Sequence, residues 1–558
     1  MRKLPFLIAA IVCFTVSYGW GATVYVNKDG GSVYYESGAA SCGEVTDADT
    51  AGDLEGALTA AGSGGILYIC AGTYTGAELD GDGMLNATDW DQSIYNVGTV
   101  VVDGDKMGTY VLRASSKKTF NLIGSGGKGA FVFTGGIDHA IVIISPADDM
   151  AATIDGVTVN ASNAGSIEST GIKFSGSAGN QITGTIKNSF IDDIGGMGIG
   201  VEGDIDGVII EKNVIVATGD NVANTGQHGI SVHATPTTIL AAGGNWADEG
   251  SSIYSTAEAS TVYDVANYTD NVDLVENDGN YGSLAANEWD YYDGNIYANI
   301  GAGDTDPDTV IIMYSTHQCD GVIVRYNNVS GVIDDDGVEG HGIAFDGFGT
   351  NSEAYGNVTS DNEGLGIQVN YQDSVAIYNN VIKSNIGGIT LINPGTTVAI
   401  NNNTIVGNTG AALLVRSGRT SVTAYNNIFK DSGTYGVNQE SADGLILDYN
   451  LYDNNDSGNV NNVLQGANKV EADPLFTDQA SGDFTLQSTS PAINTGTLLS
   501  IHVDGWTDYA GTTRLYGGSP DIGAYETIQY KVTYPLLFPF GHFPWGSVPY
   551  YLPWYVAP

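Results

Sequence analysis

Two groups of residues in this chain have the types and spacing to do chemistry. The first is a set of polar side chains at the outward positions of short Gly-Ile/Leu-x-Val segments and nearby coils: Lys173, Glu202, Ser231, His233, Asp346, Gln368, Asn370, Arg416 and Glu440, with His228 and His341 at the entry to two of the segments. An imidazole near a carboxylate can take the proton next to a uronate carboxyl group if a cation stabilises the enolate that results. His233, Lys212 or Arg325 could be that base, with Asp346, Asp335 or Asp336 holding the ion. Two carboxylates could instead cleave a glycosidic bond, one as acid and the other as base or nucleophile. The catalytic candidates are therefore His233, Asp346, His341 and Glu202, with lyase and hydrolase chemistry both open. Gly-x-Gly-Ile recurs simply as a structural signal, so His341 reads as a solvated turn residue, and so does Asp334-Asp335-Asp336.

The second group is a run of oxygen donors. Glu78, Asp80, Asp82, Met84 through its carbonyl, Asn86 and Asp89 occupy the odd and final positions of a twelve-residue loop, with Gly83 at the sharp turn and Leu85 at the apolar eighth position. Hard oxygen ligands at that spacing suit Ca²⁺. The run resembles the calcium loop of EF-hands and, in ending on Asp, that of dockerin repeats. It departs from them in opening on Glu and in being a single copy, so no cohesin partner is implied.

These groups need a scaffold to bring them together, and a repeat supplies one. The segments Tyr355-Gly356-Asn357-Val358, Tyr378-Asn379-Asn380-Val381, Asn401-Asn402-Asn403-Thr404, Tyr425-Asn426-Asn427-Ile428 and Tyr449-Asn450-Leu451 recur at steps of 23, 23, 24 and 23 residues. Between them run Gly366-Ile367-Gln368-Val369, Gly388-Ile389-Thr390-Leu391 and Ala412-Leu413-Leu414-Val415, and upstream Gly171-Ile172, Gly198-Ile199, Gly229-Ile230 and Gly342-Ile343 open similar segments. Each reads as a short strand with apolar residues inward. A coil of this length holds three short strands and three turns, and regular stacking of such coils is a solenoid. Asn suits the bends because it tolerates the left-handed backbone region and can hydrogen-bond along a stack of identical residues.

The coils resemble the right-handed parallel β-helix of the pectate-lyase-like superfamily. Thr23-Val24-Tyr25-Val26, a helical stretch from Leu54 to Ala61, and Gly65 to Tyr74 resemble its opening cap; Asp473-Pro474-Leu475-Phe476, Gly482 to Leu486, Ser490 to Ile493 and Asp521 to Glu526 resemble the closing segment of bacterial secreted and surface members. The resemblance implies an all-β solenoid with its active site, if it has one, beside one strand stack. Gly340-His341-Gly342-Ile343 and the Asp triplet also look like fragments of polygalacturonase motifs, without the Asn-Thr-Asp and Arg-Ile-Lys elements of that family.

Residues 1–21 read as a signal peptide: Arg2-Lys3, an apolar run from Leu4 to Val16, and small residues Gly19 and Gly21. A secreted or cell-surface protein follows, without a membrane span in the mature chain. Cys42 and Cys70 flank the first helix and strand and can pair in an oxidising compartment, which leaves Cys319 single. The remaining divisions are a cap and first coil at 22–75, an insertion carrying the calcium-like loop at 76–110, coils at 111–234, an acidic aromatic insertion at 235–308, coils at 309–470, a closing segment at 471–527 and a tail rich in Pro and aromatics at 528–558. With 19 basic and 64 acidic residues the chain carries a formal charge of −45, which excludes nucleic acid as a partner. The expected partner is a polysaccharide or cell-surface glycan, bound or processed; the competing expectation is a non-catalytic structural or adhesive surface protein.

Overall fold

The computed structural model describes residues 21–528 except 30, 81–83, 89–90, 105–109, 116–118, 136–138, 146–147, 161–169, 178–179, 219–226, 334–339, 393–396, 417–420, 441–443, 500–506 and 515–517; between 235 and 318 it describes the backbone of seven short strands. The N-terminal run read as a signal peptide, the Pro/aromatic tail, the Asp334-Asp335-Asp336 triplet and the side chains of the 235–308 insertion lie outside the described residues.

The chain winds into a right-handed parallel β-helix. A twelve-stranded parallel sheet runs from Leu85–Thr88 through His139–Ser145, Thr170–Gly176, Met197–Glu202, His228–Ala234, His341–Gly349 and Leu365–Gln372 to Gly458–Asn461. Two further ladders complete each coil, as where Ser374–Tyr378 pairs with Thr397–Asn401 and Val381–Lys383 with Thr404–Val406. The recurring apolar pair explains the register. Ile199, Ile230, Ile343, Ile367 and Ile389 stand directly over one another, and Val201, Val232, Phe345, Val369 and Leu391 form the next row, all fully buried. A slip of one residue would turn every one of these side chains out to water, so burial sets the stacking. The same register places the residues between them on the outer face.

The Asn pairs divide their labour. The second Asn of each pair is buried and forms a continuous ladder: each side chain of Asn213, Asn327, Asn357, Asn380, Asn403 and Asn427 donates to Oδ1 of the next, at 3.0 Å, ending on Asn450. The same Oδ1 also accepts the backbone N–H of the preceding rung, for example Asn380 N to Asn403 at 3.0 Å. A second ladder, Asn362 to Asn385 to Asn408, runs along another turn. In Asn403→Ala the Ile377 carbonyl and the Asn380 donors lose their partners. We expect a loss of about 2–3 kcal/mol in denaturant unfolding, set by the desolvation cost of stranded buried groups.

The residue before each ladder Asn carries the left-handed backbone: Lys212, Tyr326, Gly356, Asn379, Asn402, Asn426 and Tyr449 have φ between 53° and 64°. Asn and Gly suit that conformation, whereas bulky side chains pay about 1–2 kcal/mol for it.

The N-terminal end and one flank of the last coils are covered. The helix Leu54–Ala61 is capped by Asp53, whose carboxylate accepts Gly56 N–H at 2.6 Å, and its Leu54, Ala57, Leu58 and Ala61 are buried at the first coil. Cys42 and Cys70 are joined in a disulfide that ties this region together. The closing segment lies along one flank. On the outer side of the last coils stand Val381, Val406, Ile428 and Leu451, apolar where an exposed strand face would be polar, and Phe476, Phe484, Leu486, Ala492, Ile522 and Ala524 pack over them. Asn379, Asn402 and Asn426 donate to the carbonyls of Thr507, Asp521 and Thr497, so the left-handed turn row is part of the docking surface. Among the described residues no helix is long and apolar enough to cross a membrane.

Candidate functional site

The outer face of the twelve-stranded sheet gathers the ionisable residues. Register places Ser175, Glu202, His233, Asp346 and Asn370 in one row on five successive strands. His233 Nδ1 lies 3.7 Å from Asp346 Oδ2, within ion-pair reach and longer than a hydrogen bond, and the two side chains keep 39% and 28% of their surface accessible. Asn370 Nδ2 donates to the other oxygen, Oδ1, at 2.9 Å. Asp346 is therefore held on one side and aimed at the imidazole on the other. Burial pushes its carboxyl up, but His233, His228 and the Asn370 amide more than offset this and hold it below the ordinary carboxylate range. It stays ionised at neutral pH, where it favours a proton on His233.

Glu202 is on the other side of His233 in the row. Its carboxylate meets Lys173 Nζ at 2.8 Å and accepts the Ser175 hydroxyl at 3.0 Å. Arg113 shares Lys173's row two strands earlier, four strands from His233, and stands 6.0 Å from the Tyr110 ring centroid.

A third row begins each strand. His139 stacks on Tyr110 with ring centroids 5.7 Å apart, and His228 stacks on His341 at 5.2 Å. All four histidines among the described residues thus lie on this one face. His139 is pushed down to about 4, first by burial and then by Lys173, and is neutral at pH 7. His341 is a correction to the sequence reading: it is 5% exposed and lies within a strand, where its Nδ1 accepts the Leu365 N–H at 3.0 Å. That bond places its proton on Nε2 when the ring is neutral. His341 therefore supports the face from beneath and does not meet solvent as an acid. Lys212 and Arg325 are elsewhere: Lys212 is on an exposed turn, and Arg325 pairs with Glu211 on another ladder at 2.7 Å. Arg416 and Glu440 pair loosely at 4.0 Å further along the first sheet.

The large insertion is anchored at this site. It departs after Ala234, next to His233, and the chain re-enters the solenoid at Cys319, paired with Ile205. The Cys319 thiol approaches the His233 carbonyl at 3.4 Å, and burial pushes its pKa up, so it remains a donor. Sequence inspection missed His139 and Ser175 as members of the face. A signal was present: His139-Ala-Ile141, His228-Gly-Ile230 and His341-Gly-Ile343 share one His-x-Ile pattern, in register with the core row.

Of the calcium-like loop, Asp82 and Asp89 lie outside the described residues. Glu78 is engaged by Lys28 at 2.6 Å and by the Thr75 N–H, and Asn86 N–H meets Glu55 at 3.2 Å. Among the described residues no three His, Cys, Asp or Glu side chains are grouped to hold a metal.

Residues 398–497 match a family described as a domain of unknown function (DUF5123). No curated protein sequence matches the chain. Solved structures similar to it include the pectate lyase Pel9A (13% identity, 90% of this chain and 96% of that one, TM-score 0.43), the periplasmic alginate epimerase AlgG (12%, 73% and 83%, 0.38) and DFA-IIIase from Arthrobacter chlorophenolicus A6 without its lid (12%, 71% and 88%, 0.38). These likenesses are too distant to carry a reaction or a substrate to this chain.

Proposed function

We propose that this is a secreted or surface β-helix protein that binds and processes an extracellular polysaccharide on the His-lined face, with His233 as general base and Asp346 as the group that orients and supports it. The observation that carries this reading is the accessible His233–Asp346 pair, braced by Asn370. An imidazole so placed suits removal of the proton next to a uronate carboxyl group. Elimination is favoured over hydrolysis because Glu202, the second carboxylate of the row, is already committed to Lys173 and Ser175. Asp346 and Asn370 hold and aim; the imidazole moves the proton.

A purely structural role has support only towards the C-terminal end of the face. There the row of Lys173 continues as Gln368, Thr390, Leu414, Asn438 and Asn461, with Asn461 donating to Asn438 at 2.9 Å. Incubation of the full-length protein with polygalacturonate, alginate and neutral glycans separates the readings. Absorbance of unsaturated products supports a lyase, reducing ends without unsaturation a hydrolase, and neither a scaffold.

The proposal includes Ca²⁺ at the 78–89 loop. Excess chelator is expected to lower the melting temperature, with one Ca²⁺ per chain by elemental analysis; an unchanged transition and no bound calcium would overturn that part.

A further inference from the structure

A second feature lies away from the histidine face. Tyr326 occupies a left-handed turn position, φ 55°, in the row that also holds Lys212, Gly356, Asn379, Asn402, Asn426 and Tyr449. The strained backbone presents an aromatic ring that is 38% exposed, the most exposed aromatic among the described residues. The ring is supported from below. A Cβ at Gly356, the next position on the row, would come within 2.6 Å of it, so only glycine lets the ring lie there. Tyr355 braces it edge-on at 5.5 Å and is itself stacked on Tyr378 at 4.6 Å.

The polar surroundings are equally fixed. Arg325 makes two 2.7 Å contacts to Glu211 and donates to the Tyr355 hydroxyl at 2.8 Å, while the Tyr378 hydroxyl donates to Glu353 at 2.7 Å. The result is a rigid aromatic platform with charged groups paired at its rim. Its position is also informative. Further along the row, Asn379, Asn402 and Asn426 are buried under the closing segment, and Tyr326 stands just past that cover, where the row returns to solvent. Tyr449 holds the same backbone conformation further along the row, and what sets Tyr326 apart is the exposure of its side chain on a braced base.

We infer that Tyr326, braced by Tyr355 and Gly356, is a sugar-stacking site for a neutral polysaccharide, separate from the His233–Asp346 face. The apolar face of a pyranose ring fits an exposed tyrosine, and fixed polar groups at the rim meet its hydroxyls. Neutral glycan is the occupant favoured because Arg325 is already matched by Glu211 and the whole chain is strongly acidic, which disfavours a polyanion at a site without a spare charge.

The test is affinity electrophoresis of the full-length protein in gels containing soluble xylan or hydroxyethylcellulose, with polygalacturonate as the charged comparator. Tyr326→Asn is expected to weaken retention by the neutral glycans by about three- to tenfold while leaving the melting temperature equal or higher, since Asn suits the turn. Tyr326→Trp is expected to keep retention. His233→Ala should leave neutral-glycan retention unchanged, so failure of one site is distinguishable from failure of the other. Retention unaffected by Tyr326→Asn, retention only by polygalacturonate, or a melting temperature that falls in Tyr326→Asn would each overturn the inference, the last by showing that the ring serves packing.

Discussion

His233→Ala is expected to lower turnover of an acidic polysaccharide by about 10²- to 10⁴-fold, the range that a positioned general base contributes. The fold should be unaffected, because His233 is partly accessible and the rows above and below it are carried by Val232 and the neighbouring strands. Asp346→Asn separates the roles. It keeps the shape and an acceptor for Asn370 but removes the charge that favours protonated His233. Activity should fall less than in His233→Ala, and the acid limb of the pH profile should move to lower pH. The sign follows from Asp346 itself: its pKa is depressed, so its contribution to stability is complete above the ordinary carboxylate range and is lost as pH falls through the lowered value. A loss of activity at mildly acidic pH therefore reports the imidazole. Equal activity of His233→Ala and wild type would remove His233 from the reaction.

Arg514→Met is expected to release the closing segment, at a cost of about 3–5 kcal/mol. The guanidinium is fully buried, faces Glu526 at 3.8 Å and donates to Asn379 Oδ1, which ties the segment to the turn row. Burial pulls it down to about 10, with Glu526, Asp508 and Asp521 opposing, so it is charged at neutral pH. Without it, three buried carboxylates face one another. Burial already raises Asp521. A raised carboxyl pKa destabilises the fold above that pKa, and acidification relieves it, so the melting deficit of Arg514→Met should be larger at pH 8 than at pH 5. Proteolysis should then cut first in 491–527, leaving the coils intact, because a solenoid loses its flank locally. A deficit that does not change with pH would show that the residue acts through shape alone.

The coils were legible because their signals are local. The Asn-pair spacing and the Gly-Ile-x-Val alternation each describe one coil, and the structure stacks them as a parallel β-helix. Even so, the two Asn residues of a pair looked equivalent. Only stacking separates the first, whose backbone turns left, from the second, whose amide bridges rungs. The site was legible as an inventory: Glu202, His233, Asp346 and Asn370 were on the outward list, but their order in space depends on an insertion of some eighty residues being bypassed, so that His233 lies beside Asp346. His341 was misread because a His next to Gly looks solvated, whereas its backbone partner, Leu365, belongs to the next coil.

The closing segment covers the apolar outer faces of Val381, Ile428 and Leu451, a contact that no single coil of the sequence specifies. Taken alone, the residues thus determined the repeat, the inward rows and the list of ionisable outward positions, since each rests on backbone preference and burial within one coil. Which of those positions meet, which histidines are buried, and where Tyr326 emerges past the closing segment were decided by tertiary structure, because hydrogen bonding between coils sets the register and aligns residues far apart in the chain.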